Sequence, residues 1–237
     1  LEQYAADRSA ATWTQALQTA LEGLAVNVTQ QTSDEASALR CHAEQIGATH
    51  SADLFHGQHE IAKGLNGPLA QQVKHATTQV AEAEAKWARL RTGPACPRQQ
   101  QASIALAHAH AALGRACARR DTARDLLREI ATRYHPFDLI TGQAQGATAV
   151  RDHFTRIWTQ LNQLAEAAGL SARARTHLDK AQRLTLNWLA TLAVFWATLQ
   201  TRVEALDLPP ALEMAVLNPL IPGLYLARVA ARSTRAE

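Results

Sequence analysis

The chain has 237 residues, 47% hydrophobic and 19% charged, enough for one large domain or two small ones with a real core. A net charge of +3 and a pI near 9.0 permit a nucleic-acid partner without requiring one. The three scattered cysteines, Cys41, Cys96 and Cys117, include no CxxC pair; neither a disulfide framework nor a zinc ribbon is supported, and a reducing cytoplasm fits best. Aromatic residues make up only 5%, so Ala and Leu carry the apolar work, as in closely packed helices. The N-terminus has no basic-then-apolar signal pattern. The chain opens at Leu1 rather than Met, in what reads as mid-sequence, and the expectation is a piece of a longer protein.

Residues 5–21 read as a helix: Trp13, Leu17 and Leu21 recur at four-residue steps and Gly23 stops it. Residues 24–29 switch to period two, with Leu24, Val26 and Val28 on one face, which is the pattern of a strand. Thr32-Ser33-Asp34-Glu35 matches a capping box and opens a helix to about Ile46, closed by Gly47. Residues 49–55 make a second short strand. Strand, helix, strand predicts a parallel pair with a right-handed crossover.

From His56 the pattern turns helical, through Ile61, Leu65, Leu69, Val73, Val80, Ala83, Trp87 and Leu90, with Gly67-Pro68 kinking or restarting the helix. Residues 91–97 are a break, and residues 99–134 a second long, Ala-rich helix. Their matched lengths predict an antiparallel hairpin of coiled-coil type. Residues 134–138 end it and residues 142–146 form a loop. Val150, Phe154, Ile157, Trp158, Leu161, Leu164 and Ala168 give an amphipathic helix stopped at Gly169, and Ser171 caps another to about Leu206. Pro209-Pro210 breaks that helix and a short one follows. Pro219 and Pro222 bracket a turn before a basic segment with Arg228, Arg232 and Arg235. Residues 184–201 are uncharged and reach the lower edge of a membrane span, about 18 residues. Thr185, Asn187, Thr191, Thr198 and Gln200 are costly in lipid and favour a buried core helix. The expected fold is mainly α: a partial α/β piece with two short parallel strands, a long antiparallel helical hairpin, then further helices.

Asp34 would sit at the carboxyl end of the first strand, the edge at which open parallel sheets bind ligands and metals. A carboxylate there suits Mg²⁺; it equally suits the positive end of its own helix. Asp53 and His56 would end the second strand beside it, as a further metal or phosphate contact or as a polar strand end. His56 and His59 share a helical face without the spacing of a zinc protease. An Asp/His metal hydrolase built on Asp34, Asp53, His56 and His59 is one alternative, with tetrahedral Zn²⁺ as its signature. His108 and His110 diverge on a helix and read as surface residues. Trp158, Trp188 and Trp196 read as core. Without a GxxxxGK[ST] loop, a GxGxxG turn or a GxSxG elbow, nucleotide-cofactor and serine-hydrolase readings lose their basis.

Val28 followed by Ser33-Asp34-Glu35-Ala36, then Asp53-Leu54-Phe55-His56-Gly57-Gln58-His59-Glu60, resembles bacterial insertion-sequence transposases of the DDE type. It looks like the subgroup that continues as "FHVQHE", inserts a helical hairpin and shows a "YHPFD" corner, here Tyr134 to Asp138. A tail of the form "LxLPxxLExxxxxxLIPxxYL" matches residues 206–226. The resemblance implies a partial ribonuclease-H-like core over residues 1–56, a hairpin insertion over 57–135 and a helical subdomain over 136–237. It also implies DNA transposition by Mg²⁺-dependent phosphoryl transfer, with three carboxylates holding two ions. By position Asp34 resembles the second carboxylate, and Asp53, His56 and His59 would stand beside it, Asp53 as a second ligand and the histidines in support. Gly57 replaces the usual Val. The first carboxylate and a third, in an "SSxxEGxN"-like segment, have no counterpart here, so the chain is expected to be inactive alone. The hairpin would meet DNA or partner subunits through Lys74, Lys86, Arg89, Arg119 and Arg120. A homo-oligomer is compatible with this reading; a membrane or nucleotide cofactor is not expected. The rival is a non-catalytic α-helical interaction module.

Overall fold

Ser9 opens helix α1 (Ala10–Leu21) by accepting the Thr12 N–H on its hydroxyl at 3.2 Å. The computed structural model describes residues 7, 9–33, 36–93 and 96–233, with Leu54 and Ser233 described by their backbone alone. The chain is mainly α. Strand β1 (Gln30–Ser33) pairs in parallel with β2 (Thr49–Ala52) across helix α2 (Ser37–Gln45), in the register Gln30 to Thr49 and Ser33 to Ala52.

The expected strand over residues 24–29 does not form. A Leu24 carbonyl to Val26 N–H bond of 2.8 Å folds this stretch tightly, and Leu24 and Val26 are exposed. The ladder forms six residues later, where the side chains are polar but bonded. Gln30 donates to Ser51 Oγ at 2.9 Å and to Thr191 Oγ1 at 3.1 Å, and Thr32 and Ser51 share a hydroxyl bond of 3.0 Å. Apolar alternation without a partner strand is not a strand, because pairing is what stabilises the pleat. The capping box is corrected too: Thr32 and Ser33 belong to β1, and α2 starts at Ser37 after Ala36, with no side-chain cap. Likewise residues 54 and 55 leave the second strand for helix α3 (Leu54–Ile61). Gly47 and Gly169 take φ of 69° and 61°, the left-handed turn that ends α2 and a later helix over Ala147–Ala167.

The chain forms two compact units from interleaved segments: Leu1–Gly57, Ile130–Thr155 and Gln182–Glu237 in the first, Gln58–Glu129 and Arg156–Ala181 in the second. After α3, a π-helical turn (Ala62–Asn66) leads into α4 (Gly67–Leu90), with Pro68 at its first turn, as the Gly-Pro restart required. Helix α5 (Pro97–Arg133) returns antiparallel, and Glu84 meets His110 at 3.6 Å. Ala102, Ala116 and Ala123 are buried at multiples of seven residues, the seam of a coiled-coil pair. In the same unit a β-carbon added at Gly64 would lie 2.9 Å from Ala174 O, Leu178 N and Leu178 Cγ, so only glycine fits.

Helices α6 (Ala147–Ala167) and α7 (Ala172–Glu204) bury Phe154, Ile157, Trp158, Leu161, Leu178 and Leu184. Ser171 caps α7 as expected, accepting the Ala174 N–H at 3.2 Å. Within residues 184–201, Leu184, Trp188, Leu189 and Leu192 are buried, so this uncharged stretch contributes a face to the core. The turn expected between Pro219 and Pro222 is absent. Helix α8 (Pro210–Ala215) runs through a π-helical turn (Val216–Leu220) into α9 (Ile221–Ser233). The wider turn, closed by Ile221 N–H to Val216 O, accommodates prolines that remove helix donors.

Candidate functional site

The sequence singled out the carboxyl edge of the two strands, and Asp53 is its described centre. Its N–H donates to Ser33 O at 2.9 Å and extends the ladder by one step, so the ends of β1 and β2 emerge side by side. Its Oδ1 then accepts the Phe55 N–H at 2.8 Å, and its Oδ2 lies 3.3 Å from His56 Nδ1. Asp53 therefore caps α3 and neutralises part of that helix's positive end. Both side chains of the Asp53–His56 pair are about two-fifths exposed, at 40% and 39%. Phe55 stands edge-on to the His56 ring at 5.7 Å. Asp34 lies outside the described residues, and His59 follows on α3, exposed.

Behind this edge stands an aromatic wall from the same unit. A β-carbon at Gly57 would fall 2.6 Å from the Trp188 ring, so Gly57, where the resemblance leads one to expect Val, is the residue that lets Trp188 in. Tyr134 meets Trp188 edge-on at 5.5 Å. The Trp188 indole N–H is buried without a hydrogen-bond partner among the described residues.

Tyr134 to Asp138 is a structural corner. His135 Nδ1 and the Tyr225 hydroxyl are 2.7 Å apart, and fully buried Phe137 packs against Phe195, Trp196 and Tyr225. Asp138 accepts the Ile140 and Thr141 N–H groups at 3.0 and 2.9 Å and pairs with Arg133 at 2.9 Å. The backbone bonds from Thr141 and Ile140 hold its carboxyl below the ordinary range. Burial pushes the Tyr134 and Tyr225 hydroxyls up and the His135 imidazole down.

The second unit holds a cluster that periodicity did not reveal. Glu60 is nearly buried, accepts from His177 Nδ1 at 2.5 Å, and accepts from Lys180 Nζ at 3.0 Å. Burial opposes its ionisation, but the bonds from His177 and Lys180 win and its pKa is lowered. The signal lay in the i, i+3 spacing of His177 and Lys180, which can grip one carboxylate from a single helix face. Similarly, His42 is buried on α2 and bonds Thr14 Oγ1 at 3.2 Å.

On the hairpin, Lys74, Lys86 and Arg89 are exposed; Arg119 and Arg120 are half-buried, and Arg120 is bound to Asp121 at 2.9 Å. Between residues 85 and 120 there are seven Lys or Arg (Lys86, Arg89, Arg91, Arg98, Arg115, Arg119 and Arg120) and no Asp or Glu. An open hollow of about 610 Å³ near the hairpin tip is lined by Trp87, Cys96, Pro97, Gln99, Gln100 and Ser103. Among the described residues, no three His, Cys, Asp or Glu side chains gather as a metal site. No protein-family model, curated protein or solved structure matches this chain.

Proposed function

We propose that this chain serves a DDE-type DNA transposition reaction as a DNA-engaging component and does not cut DNA by itself. The observation that carries the reading is the charge segregation on the hairpin: seven cations without an acid over 36 residues, in a chain whose net charge is only +3, with Arg120 alone of the seven placed above on an acid, Asp121, just outside the run. Such a surface attracts a polyanion and releases its counterions. The parallel β1–α2–β2 unit supports the family part of the reading, since it brings the end of β1 beside Asp53. The described residues do not fit Mg²⁺: no further acid joins Asp53 among them, and a single carboxylate does not make up the oxygen ligand set that ion takes. No chemical step is therefore assigned to a metal here.

Fluorescence anisotropy with a labelled duplex tests the reading. With about four phosphates neutralised, affinity is expected to fall about 100-fold between 50 and 200 mM salt. Lys86→Ala with Arg89→Ala should flatten that dependence by about two charges' worth. Binding that ignores salt, or the double variant binding like the parent, would refute DNA engagement by the hairpin. Metal-dependent nicking that Asp34→Ala abolishes would refute inactivity of the isolated chain.

A further inference from the structure

We propose that the solvent-facing side of α8–α9 is a self-association surface, on which a second copy of this chain lays the same helix antiparallel. The run Pro210–Arg232 is long and apolar enough to cross a membrane, yet only 6% of its most apolar stretch is buried. One side is spoken for: Pro222 is buried, Tyr225 packs on His135 and Phe137, and Leu226 reaches Gly142. The other side carries Leu212, Val216, Leu220, Leu224, Ala227 and Ala231, at steps of four, four, four, three and four. Leu212, Leu220 and Leu224 are 54%, 52% and 63% exposed. Steps of four drift around an ordinary helix. The π-helical turn at Val216–Leu220 takes up that drift and keeps Leu212 in line with Leu224. A stripe this continuous on a surface marks a contact.

The charges say what covers it. Glu213, Arg228 and Arg232 each follow a stripe residue by one position, so all three border the stripe on the same side, the acid at one end and the bases at the other. Antiparallel pairing of two copies brings like borders together. With Leu220 against the partner's Leu224, Glu213 faces the turn carrying the partner's Arg228 and the partner's Arg232, and the two-fold repeats the match at the far end. A lipid bilayer fits worse, because Glu213 and Asn218 would be buried in hydrocarbon and the opposite side is already held by protein.

Light scattering after gel filtration of the 237-residue chain tests this. A mass twice 25.8 kDa is expected at about 100 μM. Leu220→Lys with Leu224→Lys should give a monomer with unchanged helical circular dichroism. Glu213→Arg should weaken the dimer about tenfold or more, and adding Arg228→Glu and Arg232→Glu should restore it. If the leucine variant loses helicity, the charge swap decides alone. A monomeric parent, a dimer indifferent to both sets, or a swap that fails to restore would each overturn the proposal. Flotation of the parent with phosphatidylcholine vesicles in place of dimerisation would overturn it in favour of a membrane surface.

Discussion

Replacing Glu60 by Gln is expected to weaken the second unit sharply. The Glu60 side chain is 8% exposed and hydrogen-bonded to His177 at 2.5 Å and Lys180 at 3.0 Å. Taking one partner from a buried ion pair costs about 3–5 kcal/mol, because the others stay desolvated. Lys180 is 41% exposed, so water screens its share, and the expected loss is about 2–3 kcal/mol. In a unit of about 100 residues that lowers Tm by about 10–20 °C. Calorimetry suits the assay, since two units can melt separately. The folded pKa of Glu60 is lowered, so its contribution is complete above the unfolded value near 4.5 and is lost as pH falls through the folded value. The parent should lose stability across that acid window more steeply than Glu60→Gln. Glu60→Leu with His177→Leu and Lys180→Met should recover most of the loss, because an apolar trio needs no partners. A Glu60→Gln variant that melts within about 2 °C of the parent, or keeps the full acid slope, would contradict the buried-pair argument.

Three further outcomes follow from the first unit. Asp53→Ala should cost about 1 kcal/mol in urea melts and Asp53→Asn much less, since Asn caps as well as Asp; equal losses would show that the charge, not the cap, matters. Gly57→Ala places a carbon 2.6 Å from Trp188, a ring hemmed in by Tyr134; a net loss of about 1–2 kcal/mol and altered near-ultraviolet dichroism are expected, after allowing for alanine's helix preference. Burial lowers the His135 pKa, so the unfolded chain binds more protons just below pH 6.5, and stability should fall as pH drops from 6.5 toward the lower folded value; His135→Gln should remove that slope.

The long helices were legible because their signals are redundant. Leu69, Val80 and Trp87 repeat a helical period, and Gly67-Pro68 and residues 91–97 punctuate it. The strands were harder. β1 is Gln-Gln-Thr-Ser, and what holds it is Ser51 and Thr191, one of them some 160 residues away. No local pattern encodes such a bond, whereas Leu24, Val26 and Val28 offered a local pattern with nothing to pair against. The Pro219–Pro222 stretch misled for a similar reason: proline forbids particular donors in an α-helix, and a π-helical turn evades that rule without leaving the helix.

The motif from Asp53 to Glu60 looked like one piece of chemistry and divides into separate structural tasks. Asp53 caps α3 and holds His56, Gly57 clears room for Trp188, and Glu60 binds His177 and Lys180. Each task needs that residue type at that position whether or not a phosphate is ever cut nearby. A carboxylate that holds a backbone N–H and an imidazole keeps spare lone pairs, but one such group is too few for Mg²⁺, which takes oxygen ligands from several sources, and no second acid stands beside Asp53 among the described residues. Under the transposition proposal, the catalytic expectation at this edge rests on Asp34. The DNA reading, by contrast, needs no acid at all, since it draws its strength from the acid-free run between residues 85 and 120. Phosphoryl transfer and DNA engagement can thus be lost separately. Asp34→Ala probes the first and the Lys86 and Arg89 pair probes the second.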